Sequence, residues 1–319
     1  VLWQNEADKH RDNMSKTNIL VVVTGPTASG KTELAVRLAE YFATDVISAD
    51  SRQIYKDLPI GTAAPSADER SRAYHHFVGT LELSDYYSAA VFEQEALSLL
   101  PGLWLKNRVA VVCGGSMMYI DALCNGIDEM PTISDATRNY CLSLLNEHGL
   151  EGVLAQLQIV DPEYYDIVDR QNTRRIVHAL EVSLEAACPY SKLRTGKIAD
   201  RPFEIIKFAI DRPRQELFER INKRVGVMIE SGLEAEARRA FAKGRYNSLN
   251  TVGYKEMLAY FEGEMDYDTA VARIAKNTRV YAKKQLTWMA RDNSIIKLEP
   301  STAFDSALTI INERLSAQK

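Results

Sequence analysis

The sequence lacks the patterns of a secreted, a membrane-spanning or a zinc-binding protein. No apolar run approaches the length that crosses a bilayer, and there is no internal repeat or low-complexity tract. Widely separated cysteines without a C-x-x-C pair are typical of free thiols in a reducing cytoplasm. We therefore expect a cytoplasmic protein that has no membrane partner. The four cysteines are Cys113, Cys124, Cys141 and Cys188.

An excess of positive charge is also missing. The chain has 39 Lys and Arg residues against 43 Asp and Glu residues, and its net charge is −4. This balance excludes a generally basic nucleic-acid binder but leaves room for local basic patches. A length of 319 residues suggests one large or two modest domains. Residues 1–13 are polar and Met14 resembles a natural start, so we expect a leader there that adds nothing to the fold.

The strongest motif present is Gly25-Pro-Thr-Ala-Ser-Gly-Lys-Thr32. An apolar, β-branched run at 19–23 precedes it and a helical pattern follows, which is the strand–loop–helix context of a phosphate-binding P-loop. Its glycines let backbone N–H groups turn toward an anion, Lys31 would reach phosphate oxygens, and Thr32 would hold Mg²⁺. The motif predicts binding of a diphosphate or polyphosphate without specifying a kinase. The candidate ligands are Gly25, Pro26, Thr27, Ala28, Ser29, Gly30, Lys31 and Thr32.

A candidate acid, Asp50, ends the short apolar run at 45–50. Ligands of parallel α/β sheets bind at the carboxyl ends of strands, so Asp50 is expected beside Lys31. A loop aspartate that caps the next turn is the alternative. The apolar run at 109–113 ends in Gly114-Gly-Ser116 instead of the acid of a Walker-B strand, and no N-K-x-D guanine motif is present. These absences weaken the interpretation as an ATPase motor or a GTPase.

Helical periodicity replaces the strand pattern from about 125 to 200, and a strand pattern returns at 202–210. We therefore expect an α/β fold: a P-loop NTPase-like parallel sheet flanked by helices, formed by 14–124 and 201–319, with an all-helical insertion at 125–200. Arginines near the start of one inserted helix could contact nucleic acid or form a solvated face. They are Arg170, Arg174 and Arg175.

Two later helices also carry positive charge. Arg220 and Arg224 lie four residues apart and share a helix face. A helix predicted over 270–291 contains six basic residues and no acid, and it interleaves Tyr281 and Trp288. That pattern suits phosphate contact and base stacking, with a membrane-surface helix as the competing interpretation. His75 and His76 are expected to line a cleft from a loop.

Taken together, these stretches resemble the tRNA dimethylallyltransferases, also called tRNA isopentenyltransferases, of bacterial type. No Cys/His finger of the eukaryotic members follows the core. The resemblance implies a P-loop core with an inserted helical domain and tRNA between them. The matching segments, in the family's order, are 25–32, 50–55, 60–62, 114–116, 175–182, 220–225, 252–254 and 278–288.

The resemblance implies transfer of the dimethylallyl group of dimethylallyl diphosphate to N6 of the adenine 3′ of the anticodon, with Mg²⁺ as cofactor. Asp50 would accept the N6 proton, Thr27 and Lys31 would lie at the reacting centre, and Arg220 or Arg224 would bind diphosphate. The partners would be the tRNA anticodon stem-loop and the prenyl donor, and we expect a monomer. The implied tRNA contacts are Asp50, Ser51, Arg52, Gln53, Ser116, Arg138, Arg174, Arg175, His178, Gly253, Tyr254, Lys255, Arg279 and Lys283.

The sequence departs from the family pattern at three positions. His178 stands where the family usually has arginine, Gly226 where an acid is common, and Ser116 where threonine is common. None of these departures touches Lys31 or Asp50, so the activity is still expected.

Three other functions remain open at this point. The chain could prenylate free AMP, ADP or ATP, phosphorylate a small metabolite with Asp50 as the base, or bind RNA without catalysis. The helical insertion and the basic helix argue against the first of these, because a free nucleotide needs neither.

Overall fold

A computed structural model describes residues 17–317, so the expected leader at 1–13 lies outside the described residues. They form two compact units, one made of 17–124 and 200–317 and the other of Asn125–Ala199. The first unit contains a parallel sheet of order β3-β2-β4-β1-β5-β6. The strands are β1 Ile19–Thr24, β2 Val46–Ser48, β3 His75–His76, β4 Val109–Gly114, β5 Glu204–Ile210 and β6 Ile295–Leu298.

Helices flank this sheet and make up the second unit. Within 17–317, no helix combines the length and apolar character that crossing a bilayer requires. The helices are α1 Lys31–Tyr41, α2 Ala67–Arg72, α3 Ala89–Trp104, α4 Met117–Asn125, α5 Asp135–Val160, α6 Pro162–Ile167, α7 Thr173–Ala186, α8 Tyr190–Leu193, α9 Arg214–Glu230, α10 Leu233–Lys243, α11 Tyr254–Phe261, α12 Tyr267–Met289 and α13 Ala303–Ala317.

The central strand β1 is buried on both faces because its side chains alternate between two helical layers. Val21 and Val23 pack toward α1 and α13, whereas Leu20 and Val22 pack toward α3 and α4. β1 pairs with β4 on one side and β5 on the other, so the strand order reverses there. The carboxyl end of β1 therefore opens onto the crevice in which such sheets bind ligands.

The two adjacent histidines form the edge strand β3 and not the predicted loop. His75 is buried with its Nδ1 2.9 Å from the carbonyl oxygen of Ala73, and Nε2 of His76 lies 3.0 Å from Oδ2 of Asp45. Both residues pair with β2. Their backbone pairing explains why the prediction was wrong.

The predicted basic helix at 270–291 is α12, which begins three residues earlier. Asp266 caps its first turn by accepting the N–H of Thr269, and Asp268 lies in that turn. The predicted range 270–291 contains no acid, as expected, and Asp268 belongs to the turn that precedes this range. β6 and α13 have no counterpart among the predicted elements.

The second unit is held together around its own apolar cluster. Helix α5 bends at Gly149, where φ is 66° and ψ is −169°. A buried carboxylate, Asp161, accepts the N–H of Tyr164 at 3.0 Å and the N–H of Ser191 at 2.7 Å, so it joins α6 to α8. On α7, Ile176 faces the cluster while the arginines before it are exposed.

In the first unit, Glu236 fastens the loop after β2 to helices α10 and α11. Its buried carboxylate accepts the N–H groups of Ile60 and Gly61, each at 2.9 Å, and the hydroxyl of Tyr254 at 2.6 Å. A Cβ on Gly61 would lie 2.5 Å from the Tyr254 hydroxyl, so glycine permits this close approach. The loop that starts at Asp50 is therefore held in place by a residue that is far from it in the sequence.

We predict that Glu236→Ala destabilises the first unit by about 3 kcal/mol or more, because each buried donor left without an acceptor costs about 1–3 kcal/mol. The matched control is Glu234→Gln on the same helix, whose exposed pair with Arg238 is worth about 0.3–0.5 kcal/mol. Urea unfolding followed by tryptophan fluorescence measures both, since Trp104 and Trp288 lie in this unit. Equal midpoints for the two variants would contradict the prediction.

Candidate active site

The P-loop joins β1 to α1 in the backbone conformation that an anion site requires. Gly25 and Gly30 have φ values of 144° and 101°, in the region that favours glycine. The amides of Lys31 and Thr32, in the first turn of α1, have no hydrogen-bond acceptor among the described residues. Free amides at the start of a helix bind anions, so this geometry supports the predicted phosphate site.

Three cations surround the loop without a carboxylate partner. Nζ of Lys31 donates to the carbonyl oxygen of Pro26 at 3.4 Å. Nε of Arg220 donates to the carbonyl oxygen of Ala28 at 2.8 Å, and Nη1 of Arg224 donates to Oγ1 of Thr27 at 3.2 Å. Within residues 17–317 none of the three cations forms an ion pair.

The pKa values of Lys31 and Arg224 show that burial disfavours their positive charge. Burial lowers the pKa of Lys31, and the nearby Arg224 lowers it further, although Cys113 and Asp50 act in the opposite direction. Burial and the adjacent Arg220 likewise lower the pKa of Arg224. Positive charge that the fold disfavours is stabilised when an anion binds, and such perturbed groups cluster at functional sites.

Sequence reasoning missed Arg212, which follows β5 and also contacts the P-loop. Its Nε donates to the carbonyl oxygen of Ser29 at 2.6 Å, and its guanidinium pairs with Glu216 one helical turn away. Because that carboxylate balances its charge, Arg212 holds the loop in place instead of adding a free cation. Its position just past a strand end is the signal that could have identified it.

Asp50 follows β2, and its carboxylate is close enough to the Lys31 ammonium to oppose the lowering of the pKa of Lys31 by burial. Its Oδ1 accepts the N–H groups of Arg52 at 2.9 Å and Gln53 at 3.2 Å, so one oxygen does cap the next turn. The other oxygen, Oδ2, accepts no hydrogen bond from the part of the chain that is described. Burial and then Asp50 raise the pKa of Tyr281 to about 12.

The turn after β4, which contains Gly115 and Ser116, is linked by hydrogen bonds both to the segment around Asp50 and, through Gln285, to the P-loop. The hydroxyl of Ser116 accepts the N–H of Ser51 at 2.8 Å, next to Asp50. Gln285, which the sequence analysis did not single out, accepts the N–H of Thr27 at 3.0 Å and donates to the carbonyl oxygen of Gly115 at 2.9 Å. A buried polar residue on a helix face that otherwise carries apolar residues such as Ala282 is the signal that could have revealed it.

Three of the predicted tRNA contacts are hydrogen-bonded or buried within the protein. The carboxamide of Gln53 donates to the carbonyl oxygens of Thr62 and Ala63 at 3.2 and 3.0 Å. Tyr254 is fully buried with its hydroxyl on Glu236, and Gly253 is buried at the start of α11. Tyr254 and Gly253 therefore cannot offer tRNA a surface in this structure, because both pack inside the fold.

The other predicted tRNA contacts differ in exposure. Ser116 is buried beneath the Asp50 turn. The remaining ones in the first unit, which are exposed or half-buried, are Asp50, Ser51, Arg52, Lys255, Arg279 and Lys283. Those in the second unit, all exposed, are Arg138, Arg174, Arg175 and His178.

We predict that Arg224→Gln does not lower the unfolding temperature of the ligand-free protein, because the substitution removes a half-buried, unpaired charge. It should remove most of the stabilisation by inorganic pyrophosphate, which is about 2.7 kcal/mol for the parent at about 100 times Kd. Thermal unfolding with and without pyrophosphate measures both effects, and Arg239→Gln, an exposed arginine on α10, is the control. Full stabilisation of the Arg224 variant would show that this arginine does not serve the anion site.

Comparisons with known proteins agree with this geometry. A family model described as IPP transferase matches residues 53–292. A tRNA dimethylallyltransferase 1 from Bacteroides fragilis is 49% identical over 281 residues, which are 88% of this chain and 93% of that protein.

Solved structures give the same result. The full-length tRNA isopentenylpyrophosphate transferase from Bacillus halodurans superimposes with a TM-score of 0.70 at 28% identity, covering 94% of this chain and 98% of that one. A eukaryotic dimethylallyltransferase captured acting on tRNA has a TM-score of 0.81 over 95% of this chain and 81% of its own, and at 22% identity it shows the fold alone. The predicted P-loop NTPase-like fold and the family resemblance are both confirmed: this chain belongs to the IPP transferase family.

Proposed function

We propose that this enzyme transfers the dimethylallyl group of dimethylallyl diphosphate to N6 of the adenine 3′ of the anticodon in tRNA, releasing diphosphate. The observation that carries the proposal is the P-loop with unpaired cations at the same sheet edge as Asp50. Relatives that share almost half of its residues are named tRNA dimethylallyltransferases, which favours tRNA over free adenylate as the acceptor. Cytoplasmic location and a monomeric state stay predictions.

The donor's diphosphate is proposed to lie on the free amides at the start of α1, within reach of Lys31 and Arg224. As the bond between carbon and oxygen breaks, negative charge grows on the leaving diphosphate. Preorganised amides and cations stabilise that charge without having to reorganise during the reaction. Arg220 approaches the same loop from α9, and because its guanidinium makes no other hydrogen bond within residues 17–317, its remaining N–H groups can donate to the leaving group.

Thr32 is the residue proposed to hold Mg²⁺. The described residues contain no group of three His, Cys, Asp or Glu side chains that could bind a metal. A threonine hydroxyl is an oxygen ligand of the kind that Mg²⁺ takes, and Mg²⁺ commonly completes its shell with waters and substrate phosphate oxygens. When bound, the ion would offset negative charge on the diphosphate.

The acceptor needs help from a base, because the lone pair of an adenine amine is delocalised into the ring. Asp50 keeps Oδ1 in the turn with Arg52 and Gln53, while Oδ2 is free to accept the N6 proton as the new bond forms. The adenine must leave its stack to reach this carboxylate, which favours a loop base over a paired one.

One assay separates the proposed reaction from its alternatives. Purified protein is incubated with Mg²⁺ and labelled dimethylallyl diphosphate, with either unmodified tRNA or AMP as the acceptor. Labelled tRNA and unlabelled AMP are expected. Labelled AMP would favour the adenylate-prenylating activity, and no labelled product would favour a kinase or an RNA-binding module.

We predict that Asp50→Asn lowers kcat by about 10²–10⁴-fold, the usual contribution of a general base. The amide oxygen can still accept the N–H groups of Arg52 and Gln53, so the turn and tRNA affinity should be retained. Steady-state turnover and tRNA filter binding measure the two quantities. Asp68→Asn, an exposed substitution on α2, is the control. Parental turnover in the Asp50 variant would remove this carboxylate from the mechanism.

We predict that the exposed arginines of α7 contact tRNA phosphates. Arg174→Ala with Arg175→Ala should raise KM for tRNA, leave KM for the donor nearly unchanged, and reduce the salt slope of tRNA binding by about 0.7–0.9 for each lost phosphate contact. The matched control replaces Arg238 and Arg239, an exposed arginine pair on α10. A tRNA affinity with an unaltered salt slope would remove α7 from the tRNA-binding surface.

A further inference from the structure

Gln285, on helix α12, is a buried polar residue that contacts the P-loop. Gln285 is only 3% exposed, and both ends of its carboxamide are used. Oε1 accepts the N–H of Thr27 at 3.0 Å, and Nε2 donates to the carbonyl oxygen of Gly115 at 2.9 Å. One side chain therefore joins the loop after β1 to the turn after β4.

The turn after β4 also forms hydrogen bonds with the residues on either side of Asp50, the proposed base. Ser116 donates its backbone N–H to the carbonyl oxygen of Ala49 at 3.2 Å, and its hydroxyl accepts the N–H of Ser51 at 2.8 Å. These two partners flank Asp50 in the chain. A continuous line of hydrogen bonds thus runs from Thr27 through Gln285 and the β4 turn to the Asp50 turn.

Two glycines allow this close spacing. A Cβ on Gly115 would lie 2.4 Å from Nε2 of Gln285, and a Cβ on Gly114 would lie 2.1 Å from the carbonyl oxygen of Ala49. Real Cβ atoms do not approach so closely, so a side chain at Gly114 would push the backbone at Ala49 away, whereas one at Gly115 would displace the Gln285 carboxamide. Glycine at 114 therefore permits the close backbone contact with Ala49, and glycine at 115 leaves room for the Gln285 carboxamide.

Helix α12 does not need Gln285 to stay in place. Nε1 of Trp288 donates to Oδ2 of Asp121 at 2.9 Å, and Ala282 packs in an apolar cluster with Ala28 and Ile221. Burying a carboxamide has a desolvation cost that an apolar side chain of similar size would avoid. A role in orienting the two loops accounts for a polar residue at this position.

We propose that Gln285 is a positioning residue that aligns the donor-binding P-loop with Asp50, an inference that rests on the proposed function. Within the described residues Gln285 makes no hydrogen bond to Asp50; it acts through Thr27 on one side and through the Gly115–Ser116 turn on the other. Displacing a reacting group by about 1 Å can lower the rate about 10²-fold. Loss of this link should therefore lower kcat more than it weakens binding of either substrate.

The first test replaces Gln285 by an apolar residue of similar length. Gln285→Met should lower kcat by about 10²-fold, while KM for the donor and for tRNA change much less. Gln215→Met, which alters an exposed glutamine on α9, should keep parental kinetics. A parental kcat in the Gln285 variant, or a loss confined to KM, would overturn the proposal.

The second test uses the contact between Gly115 and Gln285. Gly115→Ala should lower kcat by displacing Nε2, whereas the same change in a Gln285→Ala background should add little, because the colliding side chain is gone. Effects that simply add would show that the two residues act independently and would overturn the proposal. If Gln285→Met fails to fold, as judged by circular dichroism, Gly115→Ala alone decides, and a parental kcat in that variant would overturn the proposal.

The outcomes also separate this inference from the function on which it rests. If the parent protein does not prenylate tRNA, the proposed function fails. If the parent is active and the Gln285 variants match it, only the positioning role fails.

Discussion

Unpaired positive charge around the P-loop is the constraint on which the rest of the site depends. Lys31 comes from α1, and Arg220 and Arg224 come from α9, so two separate elements bring their cations to one loop. Burial and mutual repulsion disfavour these charges in the free protein, as the lowered pKa values of Lys31 and Arg224 show. A diphosphate relieves this cost, and it then becomes the leaving group of the proposed reaction.

The second requirement is a fixed geometry between donor and base. Helices α9 and α12 pack on Ala28 of the P-loop, and Gln285 ties the same loop to the turn that carries Ser116. On the other side, Glu236 anchors the loop that begins at Asp50. Cation placement and loop alignment thus come from different parts of the first unit, which allows binding and turnover to be altered separately.

Local patterns predicted much of the fold and the centre of the site. The apolar run at 19–23, the glycines of the P-loop and the position of Asp50 after a short strand each depend on a few neighbouring residues, and the structure has these elements where they were expected. The edge strand β3 escaped prediction because its two residues become a strand only by pairing with β2.

Contacts between distant residues could not be read from local patterns. Gln285 meets Thr27 across 258 residues of sequence, and Glu236 meets Ile60 across 176. Tyr254 was predicted to contact tRNA because it lies in a segment that resembles the family, yet its side chain is buried against Glu236. Resemblance identified an important segment there, and only burial distinguished a structural role from a binding role.

The most direct measurement of the central claim is the product stoichiometry of a single turnover without ATP. We expect one diphosphate to be released for each prenylated tRNA and no orthophosphate, because the P-loop is proposed to hold the leaving group of the prenyl donor. Added ATP should slow the reaction by competing for Lys31 and the loop amides, and it should be recovered intact. A requirement for ATP, or its conversion to ADP in step with turnover, would contradict the account.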